Sequence, residues 1–396
     1  MGGSVVTVSV DADVAFLESV RQIAEEIAAV HADAVDRDAR FPREAVDALR
    51  ESRAMSAMIP AEMGGGGVSL RGIARAAQLL GRRCGATGMV FAMHQIQVAT
   101  ILRHLPAGSW FESYLEEVAR DQRLIASATS EIGTGGDMGR SIAAITPLES
   151  GRLGFEKRAP TVSYGAHADD ILTTVRRGPD ADASDQVMVL HAVAETEMDP
   201  AGGWDTIGMR GTCSPGFTLR AEFGRERVLD VPFSSMMMES IVPLSHILWA
   251  NVWLGTATEA FERGRSFVRA AARGKPGEPV PAAHQLSAVM AELSMLRSEV
   301  DRALEEFLEQ SDAPDRQPLT SLASVLRFNN LKLAASEQAP RICMAVLEAI
   351  GIMAYKNDSP YGVGRQLRDS MSARLMVANE RIHATDANLL MIAKDV

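Results

Sequence analysis

The sequence predicts an α+β fold that is mainly α. It has an N-terminal helical domain over 1–122, a middle antiparallel β-barrel or sandwich domain over 123–237, and a C-terminal four-helix bundle over 238–396. Three observations predict it. The first third places Val14, Leu17, Ile23, Ile27 and Val30 close to a 3.6-residue period. The middle third splits into short β-branched segments joined by Gly-, Asp- and Pro-rich turns. No long helical pattern sits between those segments, which disfavours a parallel sheet. The last third returns to long amphipathic runs, and four of them in sequence suggest an up-and-down bundle.

The elements follow in order. The first helix is expected over Asp13 to Asp33, and Pro42 opens a second, as Pro at the first helical position can. Pro60 and the run Gly64 to Gly67 then break the pattern. Helices resume at about Leu70 to Leu80, Thr87 to Leu105 and Ser109 to Arg120. Strands are expected in RLIASATS, SIAAITPL, GRLGFEKRAPTVS, DDILTTVR, DQVMVLHAV and GFTLRAEF, from Arg123 to about Pro232. The bundle helices are expected at Ile241 to Ala272, Ala282 to Gln310, Leu319 to Tyr355 and Tyr361 to Lys394.

Composition bounds the function. The chain has 396 residues, 46% hydrophobic and 23% charged, enough to bury a core unaided. Its formal net charge of −11 disfavours nucleic acid and anionic membranes as partners, because phosphate binding needs a basic surface. Cys84, Cys213 and Cys343 are far apart and lack CxxC spacing, which fits a reducing compartment and argues against a disulfide scaffold or a zinc site. The opening MGGSVVTVSVDADV has no signal-peptide pattern and is a poor myristoylation match, and no apolar run of about eighteen residues occurs. A cytoplasmic location is expected.

Three stretches carry candidate chemistry. SATSEIGTGGDMG, Ser127 to Gly139, starts as a strand and ends in a loop whose glycines let backbone amides approach a ligand. It mimics a dinucleotide fingerprint, but the third glycine would fall at Met138 and no helix follows. In WDTIGMRGTCSPGFTL, Arg210 sits between Gly208 and Gly211, and a β-turn explains it alone. In GRLGFEKRAPTVSYGAHADD, Lys157, Thr161, Ser163 and Asp169 alternate with apolar residues roughly as on a half-buried strand.

In this order, between two helical blocks, these stretches resemble the acyl-CoA dehydrogenase family. IPAEMGGGG resembles its loop after the second helix, TSEIGTGGD its flavin loop, and IGMRGTCS its Gly-x-Arg-x-Ser/Thr turn. RERVLDVPF and AAHQLSAVMAEL resemble a strand and a helix further on. The resemblance implies FAD between the middle domain and the bundle, in a homodimer or homotetramer. By it Ser127, Thr129 and Ser130 line the flavin ring, with Thr161 or Ser163 near it. Gly135 and Gly136 face the cofactor and the acyl or CoA arm, Ser245 and His246 lie at the substrate, and Arg273 with Gln285 reaches the FAD of a partner subunit. Donors at the ring have a physical reason: hydride arriving at N5 leaves negative charge near N1, which preorganised donors stabilise. The implied reaction is α,β-dehydrogenation of an acyl thioester, on CoA or a carrier protein, with an electron-transfer flavoprotein or oxygen as acceptor.

The chain departs from the family pattern at several points. Ile132 and Gly136 replace a Pro and a Ser, the aromatic near Ala159 or Pro160 is missing, and ARGKPGEP and AIGIMAY are reduced forms of FAD-binding stretches. The proton-abstracting Glu has two family positions. One falls at about Ser245 or His246, without a carboxylate. The other lies after Arg368-Asp369 and falls on Val377, with Glu380 three residues late. Glu380 is the provisional base. Met376, His383 and Ala387 would make its helix face half apolar, and burial would raise its pKa and suit it to base work. Equally, Arg381 and His383 would make it an ordinary surface charge. Two other readings stay open: a flavin-dependent monooxygenase of the same fold, which needs no such base, and a non-redox homologue. His94 is expected to be a satisfied helix-face histidine.

Overall fold

The computed structural model describes residues 10–312 and 317–392. The readings at Met1 to Ser9, the centre of the loop after Ser311, and Lys394 lie outside the described residues.

Helix α1, Val10–Ile23, continues through a π-helical turn, Ala24–Ala28, into α2, Ala29–Arg37. The extra residue per π turn rotates the buried face. Val20, Ile23, Ala28, Ala32 and Val35 are inside, whereas Val14 and Val30 of the expected stripe point outward. Pro42 is the N-cap of α3, Arg43–Glu51, not its first helical residue. Helix α4, Leu70–Arg83, is capped by Ser69, whose hydroxyl accepts from the Gly72 N–H. Helix α5, Gly85–His104, is buried almost throughout, and α6, Trp110–Asp121, completes the block.

The middle region forms two four-stranded sheets, with no closed barrel. One sheet orders β1 (Ile125–Ala128), β4 (Asp170–Arg176), β5 (Gln186–Ala192) and β8 (Val228–Leu229). The other orders β2 (Thr146–Pro147), β3 (Leu153–Ala159), β7 (Phe217–Phe223) and β6 (Thr196–Pro200). The sheets meet through Phe155 on β3 against His191 on β5. The antiparallel expectation holds for every pair but one: β1 and β4 run parallel. SIAAITPL was expected as a full strand, yet only Thr146–Pro147 pairs. Its backbone is committed elsewhere, to the Glu131 carboxylate and to Arg176.

The C-terminal region starts with α7, Phe233–Met236, and a π turn, Met237–Ile241. Three long helices follow: α8, Val242–Gly274; α9, Pro281–Ser311; and α10, Leu322–Ile350. A short α11, Ile352–Tyr355, follows Gly351 at φ 67°. The expected fourth long helix is broken into α12, Gly364–Met371, a 3₁₀ turn, Ser372–Arg374, and α13, Asn379–Leu390. Helices α4, α5 and α8 cross with backbones nearly touching. A Cβ on Gly81 would meet the Val252 carbonyl at 2.7 Å, and one on Gly88 the Gly81 nitrogen at 2.6 Å.

The three regions join at one point. The fully buried Asp369 on α12 accepts the Met209 N–H at 2.7 Å. Arg365 pairs with Asp33 at 3.0 Å and Arg368 pairs with Asp36, both carboxylates on α2. Arg210 donates to the Asp36 carbonyl at 2.8 Å. Burial raises the Asp369 pKa to about 6, against the opposing pull of Arg365. A Cβ at Gly208 would run into the Arg368 carbonyl.

Three histidines are buried and neutral. The Ile125 N–H donates to His94 Nδ1 at 3.0 Å, so Nε2–H donates to the Met55 carbonyl at 2.8 Å. His94 is satisfied, as expected. The Thr196 hydroxyl donates to the Ala192 carbonyl and accepts from His191 Nδ1–H, leaving His191 Nε2 to accept from Thr173. The Phe328 carbonyl accepts a hydrogen bond from His246 Nδ1–H at 3.0 Å. Burial lowers their pKa values to about 4 for His94 and about 3 for His191 and His246.

Two predictions follow from this packing. Below pH 6.5 the unfolded chain binds protons that the folded chain refuses, so stability falls with pH between about 6.5 and 4. The three histidines together contribute a slope of about 4 kcal/mol per pH unit near pH 5, Asp369 with its raised pKa opposes it by about 1, and the net of about 3 is read from urea denaturation across that range. A flat profile there would show that the rings are protonated in place. Gly208→Ala should cost about 1–3 kcal/mol in the same assay, because the Arg368 carbonyl has to move.

Candidate functional site

The end of β1 passes into the glycine-rich loop, and two buried charges fix that passage. Glu131 accepts from Ser141 Oγ at 2.6 Å, from the Ile142 N–H at 3.0 Å and from the Ala143 N–H at 2.8 Å. This clamps both ends of the segment 132–140. Lys157 on β3 is 1% exposed. Its ammonium donates to the Thr174 carbonyl at 2.7 Å, to Thr174 Oγ1 at 2.9 Å and to the Thr129 carbonyl at 3.4 Å, with Glu131 at 3.7 Å. Burial pulls its pKa down to about 8, against the raising effect of Glu131. The strand does alternate as on a half-buried strand, and Lys157 falls on its inward face with Phe155 and Ala159, a charge bonded across to the other sheet.

The expected ligand groups at this passage lie close together. Ser127, Thr129 and Ser130 are half-buried, and Ser130 Oγ donates to the Thr161 carbonyl at 3.4 Å. Thr161 and Ser163 lie beyond the end of β3, Thr161 exposed and Ser163 half-buried. Among the described residues, the hydroxyls of Ser127, Thr129 and Ser163 have no hydrogen-bond partner. Such uncommitted donors fit the edge of a flavin. Gly135 and Gly136 are exposed at φ 63° and 79°. A Cβ on Gly136 would meet the Arg381 guanidinium carbon at 2.6 Å, so the loop abuts the first turn of α13.

The remaining expected positions lie on α8 and at the break before α13, which α10 packs against and whose following helix meets the glycine loop at Arg381. Ser245 and His246 are buried, 6% and 2% exposed. With Nδ1–H bound to Phe328, the His246 ring presents Nε2 as an acceptor, and Nε2 has no partner among the described residues. Asn329, Lys332 and Ser336 lie along one stripe of α10, all buried. Lys332 Nζ donates to the Val377 carbonyl at 2.9 Å and to Asn379 Oδ1 at 2.5 Å. Asn379 Nδ2 donates to Ser336 Oγ at 3.1 Å, and Asn329 Nδ2 to Asp386 Oδ1 at 2.6 Å. Burial lowers the Lys332 pKa to about 8.

Glu380 does not have the expected surroundings. It is exposed, in the first turn of α13. Met376 belongs to the turn before the helix, so the half-apolar face does not form around Glu380. The desolvation expected to suit it to base work is absent. No ion pair joins Glu380 to Arg381 or His383 among the described residues.

Arg273 and Gln285 are exposed where α8 ends and α9 begins. Arg273 lies 28 residues after Ser245 on one helix, about 42 Å away. Within one chain these two sit apart from all the other expected ligands. Sequence reasoning missed Glu131, Lys332 and Asn379 as site builders. The one available signal was a lysine inside the otherwise apolar run LKLAA. Among the described residues, no cluster of three metal-ligating side chains occurs, and no helix is long and apolar enough to cross a membrane.

Residues 11–121 match the family model "Acyl-CoA dehydrogenase, N-terminal domain". The chain is 25% identical over 391 residues to the "Probable acyl-CoA dehydrogenase YngJ" of Bacillus subtilis (strain 168), covering 96% of each. It is also 25% identical over 350 residues to the "Probable FMNH2-dependent monooxygenase SfnC" of Pseudomonas putida, covering 84% of this chain and 85% of that protein. Its fold matches FMN-bound TdsC from Paenibacillus sp. A11-2 with a TM-score of 0.80 at 19% identity, over 95% of this chain and 97% of that one. Residues 11–121 thus match the N-terminal domain of the acyl-CoA dehydrogenase family, and the chain as a whole is similar to a probable member of that family at low identity and shares the fold of FMN-bound TdsC.

Proposed function

We propose that the protein is a flavin-dependent monooxygenase built on the acyl-CoA dehydrogenase fold. One observation carries the reading. At the helix break the position of the family's base is Val377, whose carbonyl is bound by Lys332, and the nearest carboxylate in sequence, Glu380, is exposed. A proton-abstracting carboxylate gains basicity from burial, which exposed Glu380 lacks; the buried carboxylate of α13, Asp386, lies nine residues past Val377 with its Oδ1 bound by Asn329. The uncommitted hydroxyls of Ser127, Thr129 and Ser163 would hold the flavin edge, and the glycine loop and α13 would cover it. A bound reduced flavin would supply electrons and, with dioxygen, the transferred oxygen atom. Neutral His246 would present Nε2 to a substrate donor, and the apolar bodies of Trp249 and Trp253 on α8 would keep water from the inner end. The similarity to SfnC supports this reading, as does the fold match to TdsC, itself described as a dibenzothiophene monooxygenase. FMN is sufficient for it. FAD would add the partner-subunit role of Arg273 and Gln285 in a homodimer or homotetramer.

A second reading, α,β-dehydrogenation of an acyl thioester with Glu380 as base, is favoured by the similarity to YngJ along nearly the whole chain. The two separate in one set of measurements. FMN and FAD are titrated into the purified protein, acyl-CoAs are added anaerobically, and oxygen uptake is followed with flavin reduced by a separate reductase. The expected result is flavin binding, oxygen uptake and no anaerobic bleaching, with Glu380→Gln unchanged. Bleaching by an acyl-CoA that Glu380→Gln slows roughly 100-fold or more would overturn the monooxygenase reading.

A further inference from the structure

Lys332 is an expensive residue to keep. It is 0% exposed, and no carboxylate lies within ion-pair distance of it among the described residues. An ammonium buried against neutral acceptors alone costs several kcal/mol relative to water. An apolar side chain of the same length would fill the space between α10 and the last segment at lower cost.

Its bonds identify what it is kept for. Both go to the point where the helix is interrupted, one into the four-residue break between the 3₁₀ turn and α13 and one to the first residue of α13. One reaches the Val377 carbonyl, the other the Asn379 side chain. Val377 is a β-branched residue at φ 47°, a conformation such residues resist. Ala378 follows at φ −36°, ψ 127°, so the helical path is interrupted at two consecutive residues. The strain persists because the surrounding structure holds it. Two residues beyond Asn379, Arg381 abuts Gly136 of the glycine loop. The chain of contacts runs from α10 through the break to the loop.

We propose that Lys332 is a positioning residue for the cleft: through the Val377 carbonyl and Asn379 it holds the last helix broken, which sets the start of α13 against the glycine loop at Gly136. It acts through the break and does not touch the ligand. The ligand part of this inference rests on the flavin reading above; the conformational part does not.

The test uses the full-length protein with Lys332→Met, and Asn379→Ala at the other end of the same bond in case the first variant fails to fold. Hydrogen–deuterium exchange is measured without added flavin, and FMN and FAD affinities by titration. Faster exchange across 376–383 is expected, with the α4, α5 and α8 core unchanged. Flavin Kd should rise roughly tenfold or more. Thermal stability of Lys332→Met should hold or rise, since a buried unpaired charge is removed. A change in stability with exchange at 376–383 and flavin Kd both unmoved would overturn the proposal and leave Lys332 a packing residue. If the parent protein binds neither flavin, the flavin reading fails and the exchange result alone decides the role of Lys332.

Discussion

The acceptance of the Met209 N–H by the Asp369 carboxylate is the contact on which the arrangement of the molecule depends. A buried carboxylate is costly, and here it is surrounded by what offsets the cost: a backbone donor and the guanidinium groups of Arg365 and Arg368. Those arginines are in turn paired with Asp33 and Asp36 on α2. The N-terminal helices, the turn at Gly208–Gly211 and α12 are thereby locked in one register. Everything after α12 inherits that placement, including the break and the start of α13.

Two buried ammonium groups then hold the two segments that carry the expected site residues, and they do so in the same way. Lys157 donates toward the Thr129 carbonyl at the end of β1, and Lys332 donates to the Val377 carbonyl in the break before α13. Each is pulled to a pKa of about 8 by burial. A lysine reaching a main-chain carbonyl fixes backbone rather than side chain, so the groups it positions are the neighbours in sequence. For Lys157 these are Ser127 to Ser130. For Lys332 they are Asn379 to Arg381. The expected ligand residues are thus held by residues that are not expected ligands.

Much of the fold was legible because its signals are local. The 3.6-residue period located α4, α5, α8, α9 and α10, and turn residues separated the strands of the middle region. The failures have local causes too. Val30 was placed inside because a π-helical turn, which has no period of its own, rotates the face just before it, whereas Val14, ahead of that turn on α1, simply lies off the Val20–Ile23 face. The parallel pairing of β1 with β4 was missed because strand order is a long-range property with no mark in either strand. The last helix was read as continuous because its break carries no glycine or proline. It is made by Val377, a residue whose preference runs the other way.

The sequence by itself determined the three-part architecture, the order of the motifs and the family they point to, because periodicity, turn chemistry and motif order are written along the chain. It also placed the serines, threonines and glycines of the loop after β1 in one stretch. Only the tertiary structure decided whether the odd glutamate near the C-terminus is buried. Its burial depends on where the helix breaks, and the break depends on a lysine 45 residues earlier in sequence reaching the Val377 carbonyl. That contact puts Glu380 on the outside, because a register along one helix is set by the groups packed against it and not by the helix alone.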